Sequence, residues 1–231
     1  MKKNISFIKI FFIAFLILGL GIIVNKSSAQ SNSGLKFEIS FPSKAHPEQI
    51  TGRVYVIISR NGRREPRLQR MPPDVLIWGK KISFFKPGEA MIIDDNVFGF
   101  PLKSIRDIPP GDYYVQGFIN IYTEFKRSDG HTLWMHNDQW EGQKWNISPG
   151  NIYSDVKKIE VDPSAAKVIE ISCENVIPPV KAPPDTKWVK RIKFQSKILT
   201  EFWGKPIYLG ATILKMPLKA KIHQNGNIDF F

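Results

Sequence analysis

Pro109-Pro-Gly-Asp-Tyr-Tyr-Val-Gln-Gly-Phe-Ile-Asn-Ile-Tyr122 is the stretch that decides the fold. Two prolines and a glycine set a turn, because proline fixes φ and glycine accepts positive φ. Residue types then alternate. Tyr113, Val115, Gly117, Ile119 and Ile121 face one way, and Tyr114, Gln116, Phe118, Asn120 and Tyr122 the other. A period of two in aromatic and β-branched residues predicts a strand. Because both faces carry apolar groups, the strand is expected to lie centrally in its sheet with other elements packed around it.

Working outward, Leu35 to Phe41 alternates with Leu35, Phe37, Ile39 and Phe41 inward and stops at Pro42. Gly52 to Arg60 is nearly continuous in apolar character, hence a central strand, and Asn61-Gly62 closes it with a turn. Val75 to Lys80 and Met91 to Ile93 are short apolar runs separated by the turn Lys86-Pro-Gly-Glu89. Asn151 to Val161 and Val168 to Cys173 alternate again. The expected fold is therefore all-β, an immunoglobulin-like β-sandwich over residues 34–175. Cys173 is the single cysteine, so no intramolecular disulfide forms, and its place in an alternating run predicts a buried thiol. Stability must come from an ordinary apolar core.

The N-terminus reads differently. Lys2, Lys3 and Lys9 precede the apolar run Ile10–Val24, and Ser27-Ser28-Ala29 offers small residues before Gln30. Residues 1–29 are expected to be a signal peptide that sends the protein to the periplasm or outside the cell. The run is about 15 residues, or roughly 22 Å of helix, short of a bilayer core of about 30 Å, so no stable membrane anchor is expected. Cleavage leaves 29 basic and 21 acidic residues. Arg60, Arg63, Arg64, Arg67 and Arg70 cluster without a recognised nucleic-acid motif or stacking aromatics beside them. They are expected to form a solvated loop, and nucleic acid is not an expected partner.

Glu124 to Pro149 shows neither period, yet carries Trp134, Trp140 and Trp145 with Asn137, Asp138, Gln139 and Gln143 between them. Irregular insertions of about 25 residues are uncommon in compact domains unless they have a role. The candidate binding residues are Trp134, Trp140, Trp145, His131 and Asp138: aromatic faces with polar rims suit sugars and protein interfaces. The plainer reading tucks the tryptophans under their own loop as a satellite core. His131 and His136 lie five apart, on one face of neither helix nor strand, so no metal site or cofactor is expected. Asp138 and Glu141 read as capping or surface groups, and Asp94-Asp95-Asn96 as a turn lacking the spacing of a calcium loop.

Residues 176–186 are proline-rich and read as a linker. Trp188 to Leu199 and Pro206 to Leu214 are strand-like, joined by Phe202-Trp203-Gly204. Residues 215–231 read as a basic, patternless tail.

Several blocks resemble secreted α/β-hydrolase esterases of the enterochelin-esterase-like type, which carry a β-sandwich ahead of the hydrolase. They are Phe37-Glu-Ile-Ser-Phe-Pro42, Thr51 to Arg60, Ile108 to Gln116, Arg127-Ser-Asp-Gly-His-Thr132, Asp138 to Asn146 and Ser148 to Ser154, followed by Ser196 to Leu214. The resemblance implies that residues 187–214 are the first strands of a hydrolase domain. Yet no G-x-S-x-G occurs in the 231 residues, so no nucleophile elbow, and no catalytic residue, carries over. The resemblance thus implies a non-catalytic accessory module with the hydrolase missing after about residue 214, a truncated form. Its expected partners are a hydrolase domain or a polysaccharide. The alternatives are a free-standing carbohydrate- or surface-binding β-sandwich and, behind it, an active esterase with unconventional catalysis.

Overall fold

The computed structural model describes residues 34–69 and 75–214, with the backbone of 220–222 and 228–230. The expected signal peptide, 1–29, lies outside the described residues. Twelve strands build the body: β1 Lys36–Ser40, β2 Ile50–Ser59, β3 Val75–Phe85, β4 Ala90–Ile93, β5 Gly99–Phe100, β6 Gly111–Ile121, β7 Thr123–Lys126, β8 Thr132–Met135, β9 Ile152–Tyr153, β10 Lys157–Val161, β11 Val168–Ser172 and β12 Asn175–Val176. After them come β13 Val189–Gln195, helix α1 Lys197–Trp203, β14 Tyr208–Leu214, β15 Ala220–Ile222 and β16 Ile228–Phe230. The described chain is mostly β-sheet.

The stretch Gly111–Ile121 is the hub. β6 pairs β2 over eight residues, and the larger sheet runs β12-β9-β6-β2-β3-β5 with β10 on the first half of β6. A smaller sheet, β11-β1-β4, sets β1 parallel to β11 and antiparallel to β4. The inward rows of both sheets meet in one core. Phe37 and Ile39 come from β1 and Phe41 from just after it, Val54, Val56 and Ile58 from β2, Tyr113, Val115 and Ile119 from β6, and Ile171 from β11 with Cys173 just after it. Alternation therefore selects the face that leaves water, as expected for half-buried strands. Gly117 lies in this row because a Cβ there would press on the Ile171 methyl and the Cys173 sulfur.

The opposite face of the larger sheet is also covered. Ile57, Ile77, Phe118 and Ile177 form a second cluster beneath Tyr55, Trp145 and Tyr153. Polar side chains on that face bind the loops to it. Gln116 Oε1 accepts from the Arg67 amide, and its Nε2 donates to Glu65 and to the Ser154 carbonyl. Asn151 accepts from the Ile121 amide and donates to the Asn120 side chain and the Trp145 carbonyl. Buried amides of this kind stay only where each donor and acceptor is matched.

Five expectations need correcting. Arg67 is not solvated: its guanidinium lies 3.9 Å from the Tyr153 ring centroid and donates to the Asn146 carbonyl at 2.9 Å, with the side chain only 8 % exposed. The insertion after β6 is not wholly irregular, because β7 and β8 form a hairpin inside it. The strand expected over Trp188–Leu199 stops at Gln195. There Ser196 Oγ accepts from the Leu199 amide and opens α1, and Gly204, at φ 66°, ends it by donating to the Thr200 carbonyl. Finally, residues 220–222 and 228–230 pair as short strands within the tail read as patternless. The body also extends past the expected boundary at 175, since β12 pairs β9 and Ile177 exchanges backbone bonds with Gly150 and Asn151.

Candidate functional site

The Glu124–Pro149 insertion and the β13–β14 ribbon meet, and their meeting makes a cleft. Phe125, buried on β7, packs edge-on against Trp203 with centroids 5.7 Å apart. Ser128 N–H donates to the Phe202 carbonyl at 2.8 Å, and the Arg127 guanidinium, paired with Asp129, covers the Phe202 ring at 4.9 Å. Gly204 closes this contact. A Cβ there would collide with the Lys126 carbonyl, so the close approach and the positive φ both require glycine.

Residues 136–143 form the second contact. Trp140 has φ 80°, a conformation that a bulky residue adopts only when its surroundings hold it there. Asp138 supplies that hold, its Oδ1 accepting from the amides of Trp140 at 3.2 Å and Gly142 at 3.1 Å. Partial burial pushes the Asp138 carboxyl up. Hydrogen bonds donated by the Gln143, Gly142 and Trp140 amides outweigh it and hold it below the usual carboxylate range. Glu141 is turned inward with its side chain fully shielded, accepting from the Gln139 amide at 2.6 Å and meeting His136 Nε2 at 2.7 Å. The indole of Trp140 then lies flush on Gly210 of β14, where any side chain would strike it.

Between these contacts lies a cleft of about 650 Å³. Trp140, Tyr208 and Trp203 supply its aromatic surfaces, and Asn137, Gln139 and Lys193 its polar ones. The Lys193 ammonium stands 4.7 Å from the Trp140 centroid and 4.5 Å from that of Tyr208, so one cation joins the two walls. Such a surface can stack a ring, exchange hydrogen bonds with hydroxyls and receive an anion.

The five expected site residues divide. Trp140 and Asp138 line the cleft. Trp134 is an exposed β8 residue opposite Glu124, and His131 stands at the hairpin turn, 3.2 Å from Asp129. Trp145 stacks on Tyr55 at 4.9 Å and meets Phe118 edge-on, which is the satellite-core reading for that one tryptophan. Lys193, Tyr208 and Trp203 were not among the expected residues. Their signal was faint: Lys193 and Gln195 fall on the same ribbon face as Gly210 and Tyr208, and a glycine inside a strand marks a close approach. Among the described residues no group of three His, Cys, Asp or Glu is placed to hold a metal ion, and no helix is long and apolar enough to cross a membrane. Compared with protein-family models, with curated proteins and with solved structures, the chain matches none of them.

Proposed function

We propose that the chain is a non-catalytic accessory module of an exported esterase-like protein: an immunoglobulin-like β-sandwich that mounts the β13–β14 ribbon for a hydrolase domain. One observation carries this reading. One ribbon face, with Lys193 and Gly210, sits on the insertion, while the opposite face presents Ile192, Phe194, Leu209 and Ile213, each between 39 and 51 % exposed. A contiguous apolar row on a two-stranded ribbon is a surface built for cover, since an isolated hairpin is marginal in water. The resemblance of Ser196–Leu214 to the lead-in of a hydrolase sheet names the kind of cover.

The test uses the protein from Gln30 onward. It should hydrolyse p-nitrophenyl acetate no faster than its heat-denatured control, and turnover clearly above that control removes the non-catalytic reading. It should also enhance anilinonaphthalene-sulfonate fluorescence, with the enhancement falling in a Phe194→Ser/Ile213→Ser double variant. An unchanged dye signal removes the docking face. Export is checked by the mass of the protein recovered from the periplasm or medium, which should lack residues 1–29.

A second reading, a polysaccharide- or surface-binding sandwich, is favoured by the cleft itself. Aromatic faces beside amide side chains are how proteins hold pyranose rings.

A further inference from the structure

The cleft has a charge feature that the polysaccharide-binding reading alone does not use. Among the described residues no carboxylate lies within ion-pair distance of Lys193. Its ammonium is held between the Trp140 and Tyr208 rings, which orient a cation without neutralising it. On the same ribbon face Arg191 adds a second cation, and residues 187–193 contain no acid. Asp138 is the one carboxylate among the residues lining the cleft, and two amide hydrogens engage its Oδ1. Glu141, behind it, is shielded and shared between the Gln139 amide and His136. The cleft therefore offers a ligand one cation without an ion-pair partner, Lys193, among ring-stacking surfaces and the amides of Asn137, Gln139 and Gln143, with the ionised Asp138 turned to its own loop amides.

We propose that this cleft binds an acidic polysaccharide, a polymer of uronate rings whose carboxylate pairs with Lys193 while the ring face lies on Trp140 or Tyr208. The proposal rests on the second reading above and adds the class of sugar. The chemistry selects a carboxylate-bearing ring. A lone lysine is a point charge that pairs with one carboxylate, and no arginine, whose planar fork suits phosphate, is among the lining residues. Amides both accept and donate, as sugar hydroxyls do, although Gln139 Nε2 already gives one hydrogen to the Pro149 carbonyl. The protein's overall positive charge speeds the encounter with a polyanion and makes it salt-dependent.

Binding is measured by titration calorimetry on the protein from Gln30 onward, with polygalacturonate as the acidic probe and unsubstituted galactan as the neutral one. Polygalacturonate should bind, and galactan about tenfold more weakly. Lys193→Gln should weaken polygalacturonate about fivefold. Lys190→Gln, on the opposite ribbon face, should change it by less than about twofold and serves as the charge-matched control. Trp140→Ala should weaken both polymers about tenfold. A Trp140→Phe variant that keeps the wild-type melting point separates lost stacking from lost packing on Gly210. If both polymers bind equally, with Trp140 needed and Lys193 not, the polysaccharide reading stands and the acidic proposal falls. If Lys190→Gln and Lys193→Gln act alike, or an oligonucleotide displaces polygalacturonate at equal charge, binding is diffuse electrostatics and the proposal is overturned. If neither polymer binds, both are lost.

Discussion

Replacing Arg67 by alanine should destabilise the body by about 3 kcal/mol, far more than an arginine in a basic surface run would suggest. The backbone bonds of this residue survive the change, because Gln116 accepts from its amide and Asn146 donates to its carbonyl whatever the side chain. What goes is the guanidinium. Its charged donor to the Asn146 carbonyl is worth about 1.5 kcal/mol in this sheltered position, and its stacking on Tyr153 about 1 kcal/mol. The pair with Glu65, whose side chain is 37 % exposed, adds only about 0.5 kcal/mol after solvent screening. With an m-value of about 2 kcal/mol per molar urea, the midpoint should fall by about 1.5 M.

The assay follows unfolding by tryptophan fluorescence and far-ultraviolet circular dichroism together. The fluorescence of the six tryptophans, Trp145 among them, reports tertiary packing, and the sheet signal reports the backbone. Arg67→Lys should recover less than half of the loss, because an ammonium keeps the charge but cannot stack on Tyr153 while reaching both Glu65 and Asn146. One molar salt should leave the difference between wild type and Arg67→Ala nearly unchanged, since a shielded contact is weakly screened. A midpoint shift under about 0.3 M, or a lysine variant equal to wild type, would refute the reasoning and return Arg67 to the solvated loop.

Three further outcomes follow from the same geometry. Burial pushes the Cys173 thiol well up, so iodoacetamide should label it only as the protein unfolds, with a rate that tracks urea concentration; rapid labelling of the native protein contradicts the core placement. The Asp138 carboxyl titrates lower in the folded chain than in the unfolded one. Its contribution is therefore fully present above the unfolded value of about 3.9 and is lost as pH falls through the lower folded value. The melting-point gap between wild type and Asp138→Asn should accordingly be constant from pH 7 to 5 and shrink below pH 4, and a gap that widens on acidification reverses the assigned sign. Gly204→Ala meets both a positive φ and the Lys126 carbonyl. It should release the ribbon, raising trypsin cleavage at Lys190, Arg191 and Lys193 several-fold while leaving the urea midpoint of the body within about 0.3 M.

The parts of the fold legible in the sequence are those where a side chain's fate follows from its neighbours at i±2. Phe37, Ile39 and Phe41 had to face one way, and so did Tyr113, Val115 and Ile119, because any other arrangement exposes a row of large apolar groups. The helix was misread for a related reason. Ile192, Phe194 and Ile198 continue an alternating apolar pattern through Ser196, and the pattern drowned the cap signals at Ser196 and Gly204. Arg67 was misplaced because composition ranks a charge run as surface, while burial depends on a carbonyl 79 residues away and on Tyr153. Half the cleft was equally out of reach. Trp140 and Asp138 announce themselves on an insertion, but Lys193 and Tyr208 reach them only through the pairing register of a ribbon more than fifty residues further on.

That ribbon ties the two proposals together. Residues 178–186 lack secondary structure, so the ribbon's seat depends on the contacts at Phe125, Ser128, Gly204 and Trp140. Each is small, and a two-stranded hairpin adds little order of its own. A ligand pairing with Lys193 fixes the strands that carry Ile192, Phe194, Leu209 and Ile213 on their other face. An occupant of that apolar face fixes the strand that carries Lys193. Since each event removes conformational freedom that the other must also remove, the second to bind meets a smaller entropic cost. If a polysaccharide on Lys193 tightened the apolar face, linkage would require that it be held more tightly in turn once that face was covered.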